Sequence, residues 1–199
     1  MAVTVAGVGP VASPGPAQHA DPTPSPRVLV AALGDTAHGD EGFGAHVLRA
    51  LPAGDLAPRT HVEYYGTDSE RLLADLRDGW DALVLLDALP ERGCPGALRV
   101  VDLDARRTVT VRHDLDAETR DPGPLVSAVK RLVPRTVLVG CEVVDADERL
   151  GLTGDVEACV RPAARFVLSV LERLTGRRSP ALPDEMRPEH VLRQGSRTG

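Results

Sequence analysis

What most limits the folds open to this chain is an apolar run at residues 27–33, RVLVAAL, that breaks at a glycine-rich acidic turn, GDTAHGDEGFG over residues 34–44, and resumes with helical spacing. The run has the length and β-branched content of a buried strand, and Phe43, Val47, Leu48 and Leu51 fall on one helical face. A strand, a short turn and an amphipathic helix together form the first half of a crossover onto a parallel sheet. Asp35, Asp40 and Glu41 are thereby placed at the carboxyl edge of that sheet, the edge at which open α/β folds bind ligands.

The turn is neither of the two best-known glycine-rich turns. A P-loop requires Lys-Ser/Thr after its last glycine, which is missing, and a dinucleotide pyrophosphate would be repelled by Asp40 and Glu41. Carboxylates there suit a cation. The alternative is that Asp40 and Glu41 only cap the helix, where a negative charge contributes about 0.3–1 kcal/mol against the macrodipole.

Strand and helix patterns alternate through the rest of the chain. Residues 61–65 read as a short strand, and TDSE at 67–70 as a capping box opening a helix through Leu72, Leu73 and Leu76. Residues 81–86 form a continuous apolar run of the kind buried on both faces, ending at Asp87. Two strand-like runs follow, 97–103 and 108–112, joined by a polar turn at 104–107. Leu125, Val129, Leu132 and Val133 predict a helix, residues 136–139 a strand, and apolar positions spaced by threes and fours from Val156 to Leu174 a final helix. The expected fold is a twisted, mostly parallel sheet flanked by helices.

With 199 residues and 42% hydrophobic content the chain can bury one full core. That core is assigned to residues 27–175. Residues 1–26 and 176–199 are rich in proline or polar residues without periodicity and are expected to be disordered extensions. A net charge of −6 supplies no footprint for nucleic acid. No apolar run approaches the roughly 18 residues of a membrane span. The stretch before Arg27 carries six prolines and no Lys or Arg, unlike a secretory signal, so a cytoplasmic location is expected. Cys94, Cys141 and Cys159 show no C-x-x-C pair, which fits reduced thiols.

Among side chains suited to chemistry, Asp35, Asp40, Glu41 and Asp87 lie at the expected sheet edge and Asp68 at the start of the second helix. Asp87 is open to two readings, a bond to nearby backbone amides or a part in catalysis. His113 stands beside Asp114 and Asp116 and could bind a divalent metal through one ring nitrogen. His38 lies within the acidic turn, and His46 on the first helix is assigned to partly buried packing. Nucleophilic catalysis is poorly supported: there is no G-x-S-x-G elbow, Ser69, Ser127 and Ser169 fall within helix patterns, and Cys141, directly after a strand, reads better as a small buried side chain.

Three segments taken in order resemble the hydrogenase maturation proteases, peptidases that remove the carboxyl-terminal extension of a nickel-loaded hydrogenase large subunit. VLVAALGDTAHGDEGFGAHVLRAL, residues 28–51, is similar to that family's first strand, G-N-x-x-x-x-D-D/E-G-x-G turn and helix, with Asp35 in place of Asn. DGWDALVLLDALPERGCPGALRVVDLD, residues 78–104, looks like its next strand, Asp-Ala turn and Pro-Gly-started strand, and residues 137–174 like its closing strand, L-S/T-x-x-V segment and last helix.

The resemblance implies a three-layer, phosphorylase/hydrolase-like α/β/α fold around a twisted, mostly parallel sheet, in which a Glu, an Asp and a His engage a divalent metal. On that basis Glu41 is the Glu and His113 the His. The middle Asp is expected at the end of the second strand, where this chain has Tyr64, a neutral phenol with an ordinary pKa near 10 and a poor ligand for Ni²⁺ beside a carboxylate. Asp40, Asp68, Asp87 and Glu63 are left as substitutes or supports. Nickel would be carried by the substrate, with zinc or cadmium standing in for it in vitro. The implied function is endopeptidase cleavage of a hydrogenase large-subunit precursor, with no nucleophile assigned. The alternative is a non-catalytic, chaperone-like relative that binds such a precursor after losing a metal ligand. A nucleotide-binding domain, the third class, is disfavoured by the acidic turn.

Overall fold

The computed structural model describes residues 24–103, 107–110, 124–144 and 150–178. It contains six strands, β1 (Val28–Leu33), β2 (Thr60–Gly66), β3 (Ala82–Pro90), β4 (Leu98–Asp102), β5 (Arg107–Thr110) and β6 (Thr136–Val143), and four α-helices, α1 (Phe43–Ala50), α2 (Ser69–Asp75), α3 (Pro124–Leu132) and α4 (Gly154–Thr175). The strands form one sheet in the order β2-β1-β3-β6-β4-β5. β2, β1, β3 and β6 pair in parallel, and β4 runs antiparallel to both β6 and β5.

Alternation along the buried strands sorts the core into two layers. Val28, Val30 and Ala32 of β1, with Ala82, Val84 and Leu86 of β3, face Phe43 and Val47 of α1 and Val160, Ala163 and Val167 of α4. Leu29, Ala31 and Leu33, with Leu83 and Leu85, face Leu72 of α2, Val129 of α3 and Val133 just beyond it. Every residue of β1 is buried, as its continuous apolar sequence requires. The expected three-layer α/β/α arrangement is present.

Several boundaries differ from the sequence reading. β3 does not end at Asp87 but continues to Pro90, because Asp87, Ala88, Leu89 and Pro90 pair with Gly140, Cys141, Glu142 and Val143 of an equally extended β6. Cys141 consequently lies within a strand and is buried. The predicted capping box is replaced by a cap one residue later, with the Asp68 carboxylate accepting from the Arg71 N–H at 2.9 Å. Residues 1–23 and 179–199, with most of the two predicted extensions, fall outside the described residues, and so do 104–106 and 111–123 with His113, Asp114 and Asp116.

Helix α1 approaches the sheet more closely than any side chain would allow. A Cβ on Gly44 would stand 2.6 Å from the Leu33 carbonyl oxygen and 2.7 Å from that of Leu86. Neither strand backbone can yield without disturbing the sheet ladder. Gly44→Ala is expected to destabilise the protein by about 1–3 kcal/mol through overpacking, measured by urea denaturation. A change within error would mean that α1 can slide on the sheet.

Candidate active site

The acidic turn closes back on the strand that precedes it. Gly34 has φ +100°, and a Cβ there would lie 1.9 Å from the Glu41 carbonyl oxygen, so only glycine fits. From this crossing the chain turns through a short 3₁₀ segment, Gly39–Gly42, into α1. Its two acids point in different directions. Asp40 is 1% exposed and accepts from the Thr153 N–H at 2.6 Å and the Thr153 hydroxyl at 2.9 Å, tying the turn to the start of α4. Glu41 instead lines a cleft.

That cleft, of about 400 Å³, is bounded by Gly34, Glu41, Asp87, Ala88, Leu89, Pro90, Val143 and Val144. It opens at the carboxyl ends of β1, β3 and β6, the edge at which the acids were expected. β1 and β3 pair with Ala32 beside Leu86, which brings Asp87 level with the last residues of β1 and the start of the acidic turn. Burial is the main cause that pushes the Asp87 carboxyl up to about 6; the bond from the Ala88 N–H opposes the shift and the charge of Glu41 adds to it. Two carboxylates thus share one cleft whose remaining wall is largely apolar, an arrangement that a cation would relieve.

The other candidates are accounted for elsewhere. Asp35 accepts from the Ala37 N–H at 2.9 Å and lies 2.8 Å from His38 Nδ1, and these two partners hold its carboxyl below the ordinary range. His38 is therefore paired rather than directed to the cleft. Asp68 caps α2, and Glu63 pairs with Arg71 on the surface. His46 is half-buried on α1, as expected. Burial raises the Cys141 thiol far above its ordinary value, which removes it as a nucleophile. Tyr64 is not directed outward from the edge strand. Its hydroxyl donates to the Gly34 carbonyl at 2.8 Å, at the rim of the cleft.

Asp87 is thus the second carboxylate lining the cleft, a residue that the sequence reading had left as a substitute or support. Part of the signal was present in the sequence, an apolar run of the kind buried on both faces and ending in Asp, but the strand order that sets it beside β1 was not. Among the described residues no three His, Cys, Asp or Glu side chains converge as a metal cluster. No described helix is long and apolar enough to cross a membrane.

Fold and site together define a doubly wound α/β protein with a paired-carboxylate cleft at its sheet edge. Its relatives give that class a more specific setting. No family model matches the chain. A hydrogenase expression/formation protein, HupD, from Rhizobium leguminosarum bv. viciae is 27% identical over 155 residues, covering 75% of this chain and 76% of the relative. The hydrogenase 2 maturation protease of Escherichia coli is 26% identical over 151 residues, covering 73% and 90%. The fold of the hydrogenase maturating endopeptidase HybD from E. coli matches with a TM-score of 0.58 at 24% identity, over 74% of this chain and 93% of that one. The chain is thus similar in sequence to proteins named hydrogenase maturation proteases and shares their fold.

The raised Asp87 pKa has a measurable consequence. The folded form holds its proton up to about 6 whereas the unfolded form releases it near 3.8, so the folded state loses stability as pH rises between these values and the deficit is complete above them. Asp87→Asn should remove that slope, leaving a variant at least as stable as the parent near neutral pH. Urea titrations across the interval test this. A wild-type stability that rises with pH to the same degree in the variant would place the Asp87 carboxylate in solvent.

Proposed function

We propose that this protein is an endopeptidase that removes the carboxyl-terminal extension from a nickel-loaded hydrogenase large-subunit precursor. The observation that carries the reading is the meeting of Glu41 and Asp87 in one cleft at the carboxyl edge of the sheet, in a chain whose relatives include a hydrogenase 2 maturation protease. The nickel is part of the substrate. The two carboxylates engage it as oxygen donors, and His113, in the segment between β5 and α3, is assigned as the nitrogen donor through the family resemblance. The metal serves as the recognition element that holds the precursor at the cleft. Binding through a fixed centre places the adjoining peptide against the apolar wall of Ala88, Leu89, Pro90, Val143 and Val144 and restricts its orientation, the contribution that positioning makes to hydrolysis.

Asp87 supplies the carboxylate that Tyr64 lacks, and with it goes the reason for reading the chain as a non-catalytic relative that has lost a ligand. The acid pair also answers a cation better than a phosphate, in keeping with the absence of a P-loop lysine. Zinc or cadmium is expected to compete for the same donors in vitro, because both accept carboxylate and imidazole ligands.

The test uses the purified protein and a nickel-loaded large-subunit precursor, with mass spectrometry of the precursor's carboxyl terminus. Wild-type protein should produce a single mass loss. Glu41→Gln and Asp87→Asn, each of which keeps shape but removes a negative charge, should slow cleavage by roughly 10²-fold or more while the protein stays folded. Cleavage by both variants at the native rate would exclude the carboxylate pair from the site, and an intact precursor with wild-type protein would overturn the peptidase reading.

A further inference from the structure

The acid pair is held by backbone, and that backbone is itself held by one side chain. The Gly34 peptide has three neighbours. Its N–H donates to the Gly66 carbonyl at 3.0 Å, its Cα lies against the Glu41 carbonyl, and its own carbonyl accepts from the Tyr64 hydroxyl at 2.8 Å. The pairing of β1 with β2 shifts at this point, passing from Ala32 opposite Tyr64 to Leu33 opposite Gly66. After that irregularity the ladder no longer fixes the orientation of the Gly34 carbonyl, and the phenol does so. Gly66, at φ +59°, turns the chain directly after this pairing in a conformation that favours glycine.

We propose that Tyr64 is a positioning residue for Glu41, acting through the Gly34 peptide against which the Glu41 backbone rests. The inference depends on the assignment of Glu41 to the substrate's metal. The geometry separates this role from that of a ligand: the phenol oxygen is engaged with a carbonyl, while the charged groups lining the cleft among the described residues are Glu41 and Asp87. Without the hydroxyl, the Gly34 carbonyl is free to rotate towards solvent. The Glu41 backbone then loses its fixed neighbour, and the carboxylate samples positions in which it no longer meets a cation together with Asp87.

Tyr64→Phe removes only the hydroxyl from a side chain that is 36% exposed, so the fold should be kept. Three measurements are made on the full-length chain: amide hydrogen exchange over residues 34–42, Zn²⁺ affinity by calorimetry, and kcat and KM for precursor cleavage, each with Glu41→Gln alongside. The expected result is faster exchange in that segment, Zn²⁺ affinity weakened about three- to tenfold as for one lost neutral hydrogen bond, and a kcat lowered to a similar degree, with an unchanged melting temperature. A residue that merely supported the fold would lower the melting temperature and leave Zn²⁺ affinity of the folded protein intact. Unchanged Zn²⁺ affinity in Tyr64→Phe beside a strong loss in Glu41→Gln overturns the positioning role and leaves the metal assignment standing. Equal affinity in wild type, Tyr64→Phe and Glu41→Gln overturns both.

Discussion

The hydrogen bonds from Thr153 to the buried carboxylate of Asp40 join two parts of the chain 113 residues apart, and the arrangement of the cleft depends on them. A carboxylate with 1% exposure is tolerated only where donors satisfy it. Here the donors are a backbone N–H and a hydroxyl at the start of α4. Once Asp40 is committed inward, the tight 3₁₀ turn carries its neighbour Glu41 to the opposite side, into the cleft. The position of one acid is therefore fixed by the burial of the other. α1 and α4 then close over the same sheet face, with Gly44 permitting backbone contact between α1 and the ends of β1 and β3.

A second buried charge performs the same kind of service on the other side of the cleft. Glu142 is fully buried at the end of β6, where it pairs with Arg99 and accepts from the N–H groups of Arg92 and Cys94. Those four residues bind the β3–β4 loop to the tip of the sheet, just beyond Leu89 and Pro90. An ion pair so placed is weak evidence for stability, since desolvation offsets much of the attraction. Its value here is geometric, because the same Glu142 carboxylate that pairs with Arg99 also holds the loop N–H groups beneath the apolar wall. Structural acids at the rim thus frame a cleft into which, among the described residues, the acids Glu41 and Asp87 face.

The sequence made the layers legible because β1 and β3 are apolar throughout and α4 has unbroken three-four spacing, patterns that local chemistry sets on its own. It also placed Glu41 at the carboxyl edge of the sheet, because an acid between a strand and its helix falls there. What it could not show was which strands are neighbours. β2 follows β1 in the chain yet lies at the sheet edge, and β3 takes the central place beside β1. That order decides which carboxylate meets Glu41, and it is a property of the whole core rather than of any segment. The separation of Asp40 from Glu41 was hidden for the same reason: the partner that draws Asp40 inward lies at Thr153. The lengths of β3 and β6 were likewise underestimated, because their last residues are held by each other and not by their own apolar character.

The strand order also determines when the cleft can exist during synthesis of the chain. Glu41 and Asp87 emerge early, but the strand that flanks β3, the Val143 and Val144 wall and the Thr153 donors all belong to the final third. Contacts of such sequence separation form late, because the entropy of closing the intervening chain is lost before they are gained. A nascent chain carrying both acids would have them on an unfinished sheet, without a cleft between them. The acid pair comes to share a cleft only once the final third of the chain is made, so that a half-made chain presents loose carboxylates and not a preformed cleft.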